Sequence, residues 1–178
     1  MAAGPRQQTE SGNDSNSLTL AYLACPPGAD KNYLGGLLVT DARSRPLHFG
    51  YVAPIRPTAM QRLLYGGTLN EHVRIDVIAK KLFSDGVPVV PNVLFVDDEQ
   101  LLMARRIVGV PTAFLERRPA GNQNSNSLTT IQYTVDQHAG DDEAVGRILA
   151  ALEQSIDLIE PFNRIREALR EALKGDKS

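Results

Sequence analysis

The chain has 178 residues, 42% of them hydrophobic and 22% charged, which is the length and composition of one ordinary folded domain. Its 19 basic and 21 acidic side chains give a formal charge of -2, which excludes a protein that binds polyanions through overall positive charge. The single cysteine, Cys25, excludes an internal disulfide framework and a multi-cysteine zinc site. Because there is no membrane-length apolar run and no apolar core of a signal peptide, we expect a cytoplasmic protein.

Two segments differ in composition from the rest of the chain. Residues 1–17 have almost no apolar side chains, which predicts a disordered tail because the segment has little to bury. The polar run PAGNQNSNS at 119–127 predicts a mobile loop. The remaining sequence, residues 18–175, is expected to form a single α/β domain without internal repeats.

The domain is predicted to begin with three strands. They correspond to the apolar or alternating runs Leu18–Ala24, Gly36–Asp41 and Leu47–Ala53. The second and third runs flank a polar turn, which is typical of a hairpin. Apolar residues alternate in the third run, so one of its faces is expected to be buried, the face of Leu47, Phe49, Tyr51 and Ala53.

Helices and strands alternate through the rest of the chain. Helical spacing predicts a helix from Ala59 to Tyr65, an interruption at Gly66-Gly67, and a second helix that ends near Gly86. A buried strand, a short helix and two more strands are predicted at Asn92–Val96, Gln100–Val108, Val110–Leu115 and Thr129–Val135. Two helices close the chain, the first extending to Ile159 and the second beginning at Pro161. This order predicts a mixed sheet with helices packed on at least one face.

Charge is unevenly distributed along the sequence. No carboxylate occurs between Asp41 and Glu71, and this segment contains four arginines. The planar guanidinium of arginine donates paired hydrogen bonds to phosphate and carboxylate groups. The segment therefore predicts a surface for a protein or nucleic-acid partner, formed by Arg43, Arg45, Arg56 and Arg62. The alternative is that these arginines pair with carboxylates elsewhere in the fold.

Carboxylates form a second candidate site. Asp41 and Asp97-Asp98 end predicted strands, and Glu71 lies on the long helix. Three or four such groups hold the divalent cations of many nucleases. The element order, with an aspartate after the fourth strand, resembles the ribonuclease H fold over roughly residues 18–117. The resemblance implies an Mg²⁺-dependent phosphodiesterase in which Asp97 or Asp98 is the fourth-strand aspartate and Glu71 is the first-helix glutamate.

The sequence departs from that family in its first strand. The resemblance implies an essential aspartate within this strand, and Leu18–Ala24 contains none. Asp41, which ends the second predicted strand, can replace this aspartate only if that strand corresponds to the first strand of the family. An inactive relative or an unrelated α/β fold is therefore favoured over a working nuclease, and the acids are expected to cap helices and end strands.

The other chemistry-bearing residues form no complete catalytic motif. Cys25 has no adjacent basic residue to lower its pKa, and the three histidines are too dispersed to be assigned as its base. Gly35-Gly36 and Gly66-Gly67 lack phosphate-loop spacing and are expected to serve turns or hinges. We therefore expect no cofactor and no metal site in the favoured hypothesis.

Three functional hypotheses follow. The strings YLGGLLVTDARSRPLHFGY and PIRPTAMQRLLYGGTL are similar to short bacterial proteins of unknown function, a resemblance that implies no mechanism. The favoured hypothesis is a non-catalytic accessory or interaction protein that contacts its partner through the arginine segment. The second is a divalent-metal-dependent, ribonuclease H-like phosphodiesterase. The third is a small-molecule sensor domain with a pocket between the sheet and the terminal helices.

Overall fold

One sheet of six strands forms the centre of the fold. The strands are Thr19–Ala24 (β1), Tyr33–Asp41 (β2), Pro46–Ile55 (β3), Val93–Val96 (β4), Thr112–Pro119 (β5) and Thr129–Val135 (β6). Their order in the sheet is β3-β2-β1-β4-β5-β6. This computed structural model describes residues 18–28, 32–119, 129–152 and 154–175. The expected tail at 1–17 and nearly all of the expected loop at 119–127 lie outside the described residues.

The sheet is mixed, as the sequence predicts. β1 pairs antiparallel with β2 and parallel with β4. The β2–β3 and β5–β6 pairs are antiparallel, whereas β4 and β5 are parallel. We call the end of the sheet where β1 and β4 finish the upper end. The opposite end, which carries the turn between β2 and β3, is the lower end.

Helices cover both faces of the sheet. The α-helices are Ala59–Tyr65 (α1), Leu69–Glu71 (α2), Lys80–Ser84 (α3), Arg105–Val108 (α4), Asp141–Leu152 (α5) and Glu160–Gly175 (α6). A π-helix at His72–Ala79 joins α2 to α3, and a 3-10 helix at Glu99–Ala104 leads into α4. Helices α5 and α6 bury one face, and the π-helix and its neighbours bury the other. Among the described residues, no helix combines the length and apolarity needed to cross a bilayer.

Gly35 and Gly36 lie within β2, so the expectation that they serve a turn is wrong. A Cβ atom on Gly35 would come within 2.4 Å of Ile78 in the π-helix. A Cβ atom on Gly36 would come within 2.7 Å of Ile165 in α6. Consecutive strand residues face opposite sides, so the two glycines let a helix approach each face of the sheet.

The face of β3 that alternation predicts to be buried is exposed. Leu47, Phe49 and Tyr51 have exposed fractions of 48%, 38% and 51%, whereas Val52 on the other face is buried. β3 is an edge strand, and α6 packs mainly on β1 and β2. The apolar face of β3 therefore extends beyond the part of the sheet that the helix covers.

The first C-terminal helix is shorter than its apolar spacing predicts. α5 ends at Leu152, and Ile156 and Ile159 lie in the connection to α6. Both isoleucines still pack against the core, so apolar residues at helical spacing here need no helix. The side chain of Asp157 accepts hydrogen bonds from the backbone N–H groups of Ile159 and Glu160, which favours a new helix start there.

Candidate functional site

Asp97 and Asp98 follow β4 at the upper end of the sheet and bind different arginines. Arg166 of α6 donates from Nη2 to Oδ2 of Asp97 at 2.5 Å. Arg74 of the π-helix donates from Nη2 to Oδ2 of Asp98 at 2.8 Å. Since consecutive side chains leave a strand in opposite directions, the two carboxylates reach helices on opposite faces. Burial raises the pKa of Asp97, although the guanidinium of Arg166 opposes the shift.

Arg74 is a buried arginine in an unusual helical segment. Its Nη1 also donates to Gln100 at 3.3 Å, and its Nη2 lies 3.5 Å from the carbonyl oxygen of Cys25. Its Nε has no hydrogen-bond partner among the described residues. A buried N–H without a partner costs free energy. π-Helical segments are rare and frequently occur at functional sites.

Two clefts flank the segment that follows β1. The first has a volume of about 500 Å³, and its charged lining residues are Arg62, Arg74 and Asp98. The second has a volume of about 360 Å³, and its charged lining residues are Arg166 and Arg170. Among the described residues, the two clefts are thus lined by four arginines and one carboxylate. The upper end is locally basic although the whole chain has a formal charge of -2.

The four arginines of the acid-free segment lie at two ends of the sheet. Arg43 and Arg45 belong to the turn between β2 and β3 at the lower end. Arg56 follows β3 at the upper end, and Arg62 lies on α1 and lines the larger cleft. The ten residues of β3 lie between the two pairs and separate them by roughly 30 Å. The acid-free segment therefore does not form one surface.

Asp41 organises the turn between β2 and β3. Its Oδ1 accepts hydrogen bonds from the backbone N–H groups of Arg43 at 2.8 Å and Arg45 at 3.0 Å, and its Oδ2 accepts one from Nε of Arg45 at 2.6 Å. Ser44 adopts a left-handed φ of 61° there, and Arg164 of α6 donates to its carbonyl oxygen at 3.0 Å. Burial alone would raise the pKa of Asp41, but these hydrogen bonds outweigh it and lower the pKa.

The carboxylates considered for a magnesium site do not converge. Asp41 lies opposite the first residue of β1, whereas Asp97 and Asp98 are level with its last residue and with the residue that follows it, roughly 17 Å away along the strand. Glu71 accepts a hydrogen bond from Nη2 of Arg106 at 3.0 Å. The described part of the chain contains no group of three or more His, Cys, Asp or Glu residues placed to hold a metal ion. Guanidinium groups neutralise the aspartates, so these residues do not fit the magnesium site that the ribonuclease H resemblance implies.

The end of β1 supplies a thiol beside the aspartates and no carboxylate. Leu23 lies opposite Val96, so continuing the register places Ala24 and Cys25 next to the two aspartates. Burial raises the pKa of Cys25 to about 12. Its thiol is therefore protonated at neutral pH, which makes it a poor nucleophile and a poor metal ligand.

Helix α1 exposes an apolar stripe next to the larger cleft. A capping box, in which Thr58 and Gln61 exchange hydrogen bonds, fixes the start of this helix. Met60, Leu63 and Leu64 have exposed fractions of 62%, 78% and 74%, and no residue of α1 is buried. The upper end therefore combines arginines with exposed apolar side chains.

The arginine surface predicted from the sequence does not include three of the arginines at this site, Arg74, Arg166 and Arg170. Arg74 stands between Val73 and Ile75 in an apolar stretch of helix, and an arginine in such a position needs a buried partner. Its position in the sequence therefore indicates a buried ion pair or hydrogen bond before the structure is known. Arg166 and Arg170 are one turn apart on α6, but the sequence does not indicate that this end of α6 reaches the end of β1.

Comparisons with known proteins bear on the fold. No family model and no curated protein matches the sequence. A crystal structure of human ENDOV matches with a TM-score of 0.57 and 10% identity, over 90% of this chain and 86% of that chain. Argonaute from Marinitoga piezophila, in complex with a 5′ OH guide RNA, matches with a TM-score of 0.41 and 10% identity, over 82% of this chain and 27% of that chain. This chain thus spans about a quarter of the Argonaute chain.

The ENDOV comparison confirms the fold predicted from the element order. ENDOV is ribonuclease H-like, and the present chain shares its α/β architecture across almost its whole length. At 10% identity the likeness concerns the fold alone.

Proposed function

We propose that this chain is a non-catalytic accessory protein that binds a single-stranded nucleic acid at the upper end of its sheet. The observation that carries the proposal is the arginine lining of the two clefts, formed by Arg62, Arg74, Arg166 and Arg170 with Asp98 as the one lining carboxylate. Guanidinium groups match phosphate oxygens in geometry and charge. Exposed Arg56 at the same end extends the basic surface.

The shape of the site favours a single strand over a duplex. Clefts of about 500 and 360 Å³ are in the size range that accepts a nucleotide-sized group. A duplex keeps its bases stacked inside a convex surface of phosphates, whereas a single strand can place an unstacked base in a concave site. Apolar side chains beside the arginines that are not fully buried, Pro27 and Leu173 in the smaller cleft, supply contact area for such a base.

The ion pairs of the two aspartates support a binding role rather than a catalytic one. A two-metal reaction requires carboxylates that converge on ions about 4 Å apart. Asp97 and Asp98 instead point to opposite faces, and each binds a guanidinium. Asp41 belongs to the turn at the far end of the sheet. The mechanism we propose is therefore electrostatic capture of phosphates and contains no metal-dependent step.

One observation favours the sensor domain as a second candidate. The smaller cleft lies between Leu34 of the sheet and Leu169 and Leu173 of α6, where the sequence predicts a ligand pocket. A shift in melting temperature with added mononucleotides, which contain a phosphate and a base, would favour this function if long strands bind no more tightly.

Fluorescence anisotropy with a labelled single-stranded RNA and its DNA counterpart tests the nucleic-acid proposal. We expect the double variant Arg62→Ala/Arg170→Ala to lose affinity by at least about a hundredfold, because each charge-assisted hydrogen bond contributes about 1.5–3 kcal/mol and two are lost. Loss of two phosphate contacts should also reduce the slope of log Kd against log salt by about 1.4. Arg43→Ala, at the lower end, is the matched control and should bind like the wild type.

Two outcomes contradict this proposal. If the affinity for the oligonucleotide changes neither with salt nor in the double variant, the clefts are not the nucleic-acid-binding site. The arginines would then be assigned to a protein partner. Cleavage of the oligonucleotide after addition of magnesium, if abolished by Asp98→Asn, would replace the non-catalytic role with the phosphodiesterase hypothesis. Circular dichroism of each variant separates loss of binding from loss of fold.

A further inference from the structure

The exposed edge of β3 points to a second copy of this chain as its partner. Among the described residues, β3 pairs on one side with β2 and has no strand on its other side. Its ten residues include no charged side chain, although charges are a common protection of exposed strand edges. Pro46 and Pro54 lie near its two ends. Between them, in Leu47–Ala53, the backbone groups that point away from β2 can donate and accept hydrogen bonds along an open edge.

One face of this open segment is apolar and uncovered. Leu47, Phe49 and Tyr51 are exposed on it, and the rings of Phe49 and Tyr51 stack with centroids 6.2 Å apart. The opposite edge strand, β6, exposes polar side chains instead, Gln132 and Thr134. An apolar stripe along an open strand edge is typical of a protein interface, and the two edges of the sheet differ in this respect.

The sequence of β3 is complementary to itself about Gly50. In an antiparallel pair of two β3 strands centred on this residue, Phe49 of each copy lies opposite Tyr51 of the other, and Leu47 lies opposite Ala53. Pro46 lies opposite Pro54, so the paired segment ends at a proline on both sides. Aromatic pairs of this kind stabilise neighbouring strands, and the same patch on both copies is what a two-fold interface requires.

Charge is compatible with this arrangement. The nearest arginines, Arg45 and Arg56, lie outside the two prolines. Arg45 is ion-paired with Asp41 at 2.6 Å, which offsets its repulsion with Arg56 of the other copy. No ionised side chain lies opposite a like charge within the paired segment, because β3 contains none.

We propose that the protein forms a two-fold dimer in which β3 strands pair and the two sheets join into one of twelve strands. The dimer is independent of the proposed nucleic-acid site, because β3 lies at the side of the sheet and the clefts lie at its upper end. The dimer also leaves the two clefts of each copy open.

Light scattering coupled to size-exclusion chromatography of the full chain tests the dimer. We expect a mass of twice 19.4 kDa for the wild type and a monomer mass for Phe49→Lys/Tyr51→Lys. Leu63→Lys/Leu64→Lys on α1 changes an equally apolar, exposed surface and should remain dimeric. Thermal unfolding of both variants shows whether each is folded. A monomeric wild type, or a dimer lost only in the α1 variant, would overturn the proposal.

The register of the pair has its own test. The native thiol, Cys25, is buried, so an introduced surface cysteine can be cross-linked selectively. The Cβ atom of Gly50→Cys would lie 3.3 Å from Nε2 of His48, so the flexible His48 side chain must shift by a few tenths of an ångström to accommodate it. A short thiol-to-thiol linker should convert this variant to a covalent dimer, because the two positions face each other. Gln132→Cys at the opposite edge is the control, and equal cross-linking of both variants would contradict the β3 pairing.

Discussion

Arginine has different roles at the two ends of the sheet. At the lower end, Arg45 binds Asp41 in the turn and Arg164 binds Ser44, so both guanidinium groups hold the chain together. At the upper end, four arginines line open clefts and share two ion-paired aspartates. The two ends therefore differ in open space: the upper arginines line clefts with room for a ligand, and for this reason we propose binding at that end.

The largest predicted effect on stability comes from a structural arginine. Arg105 donates from Nε and Nη2 to the buried carboxylate of Asp141, at 2.6 and 3.2 Å. Arg105→Ala would leave this carboxylate buried without its cation and should lower the free energy of unfolding by about 3–5 kcal/mol. Urea denaturation measures the loss. Arg147→Ala, which breaks an exposed ion pair with Glu143, is the control, with an expected change below about 1 kcal/mol.

Equal losses in these two variants would contradict the structural role of Arg105. A second measurement applies if the Arg105→Ala protein is still folded at low temperature. It should then bind single-stranded RNA as the wild type does, because Arg105 does not line either cleft.

A smaller effect is predicted for Asp41, and it depends on pH. Asp41→Asn should lower the free energy of unfolding by about 1–2 kcal/mol at pH 7, because it weakens the hydrogen bonds from Arg45 and Arg43. The pKa of Asp41 is lowered in the folded protein, so its stabilising contribution is present above the unfolded value of 3.8. That contribution disappears as the pH falls through the folded pKa and the carboxylate becomes protonated.

Urea unfolding of wild type and Asp41→Asn at a series of pH values from neutral to acid measures this dependence. We expect the two curves of stability against pH to converge in the acid range. A difference that stays constant, or grows as the carboxylate is protonated, is inconsistent with the turn geometry. Nucleic-acid affinity at neutral pH should be equal for the two proteins, because Asp41 lies at the end opposite the clefts.

The sequence allowed the fold to be predicted because the necessary signals are local. The strand at Val93–Val96 is a continuous apolar run, and the helix from Ala59 to Tyr65 is bounded by Thr58 and Gly66. Sheet alternation was less informative for β3. Alternation marks a face that is able to pack, and whether another element covers that face depends on the position of the strand in the sheet.

The candidate site was only partly predictable because it depends on contacts distant in sequence. Arg166 and Asp97 are 69 residues apart, and Arg74 and Asp98 are 24 residues apart. The acid-free segment was visible as a pattern, but β3 runs through its middle and separates Arg43 and Arg45 from Arg56. Only the length and direction of that strand decide which arginines share a surface.

A titration monitored by the backbone amide signals of isotopically labelled protein reports directly which end of the sheet a single-stranded RNA contacts. If the clefts bind RNA, we expect signal shifts that grow with added RNA at Cys25, Asn70 and Leu169, around the two clefts, and none in the turn at Arg43–Arg45. Shifts concentrated in that turn, or no shifts at saturating RNA, would contradict the assignment of the upper end as a nucleic-acid-binding surface.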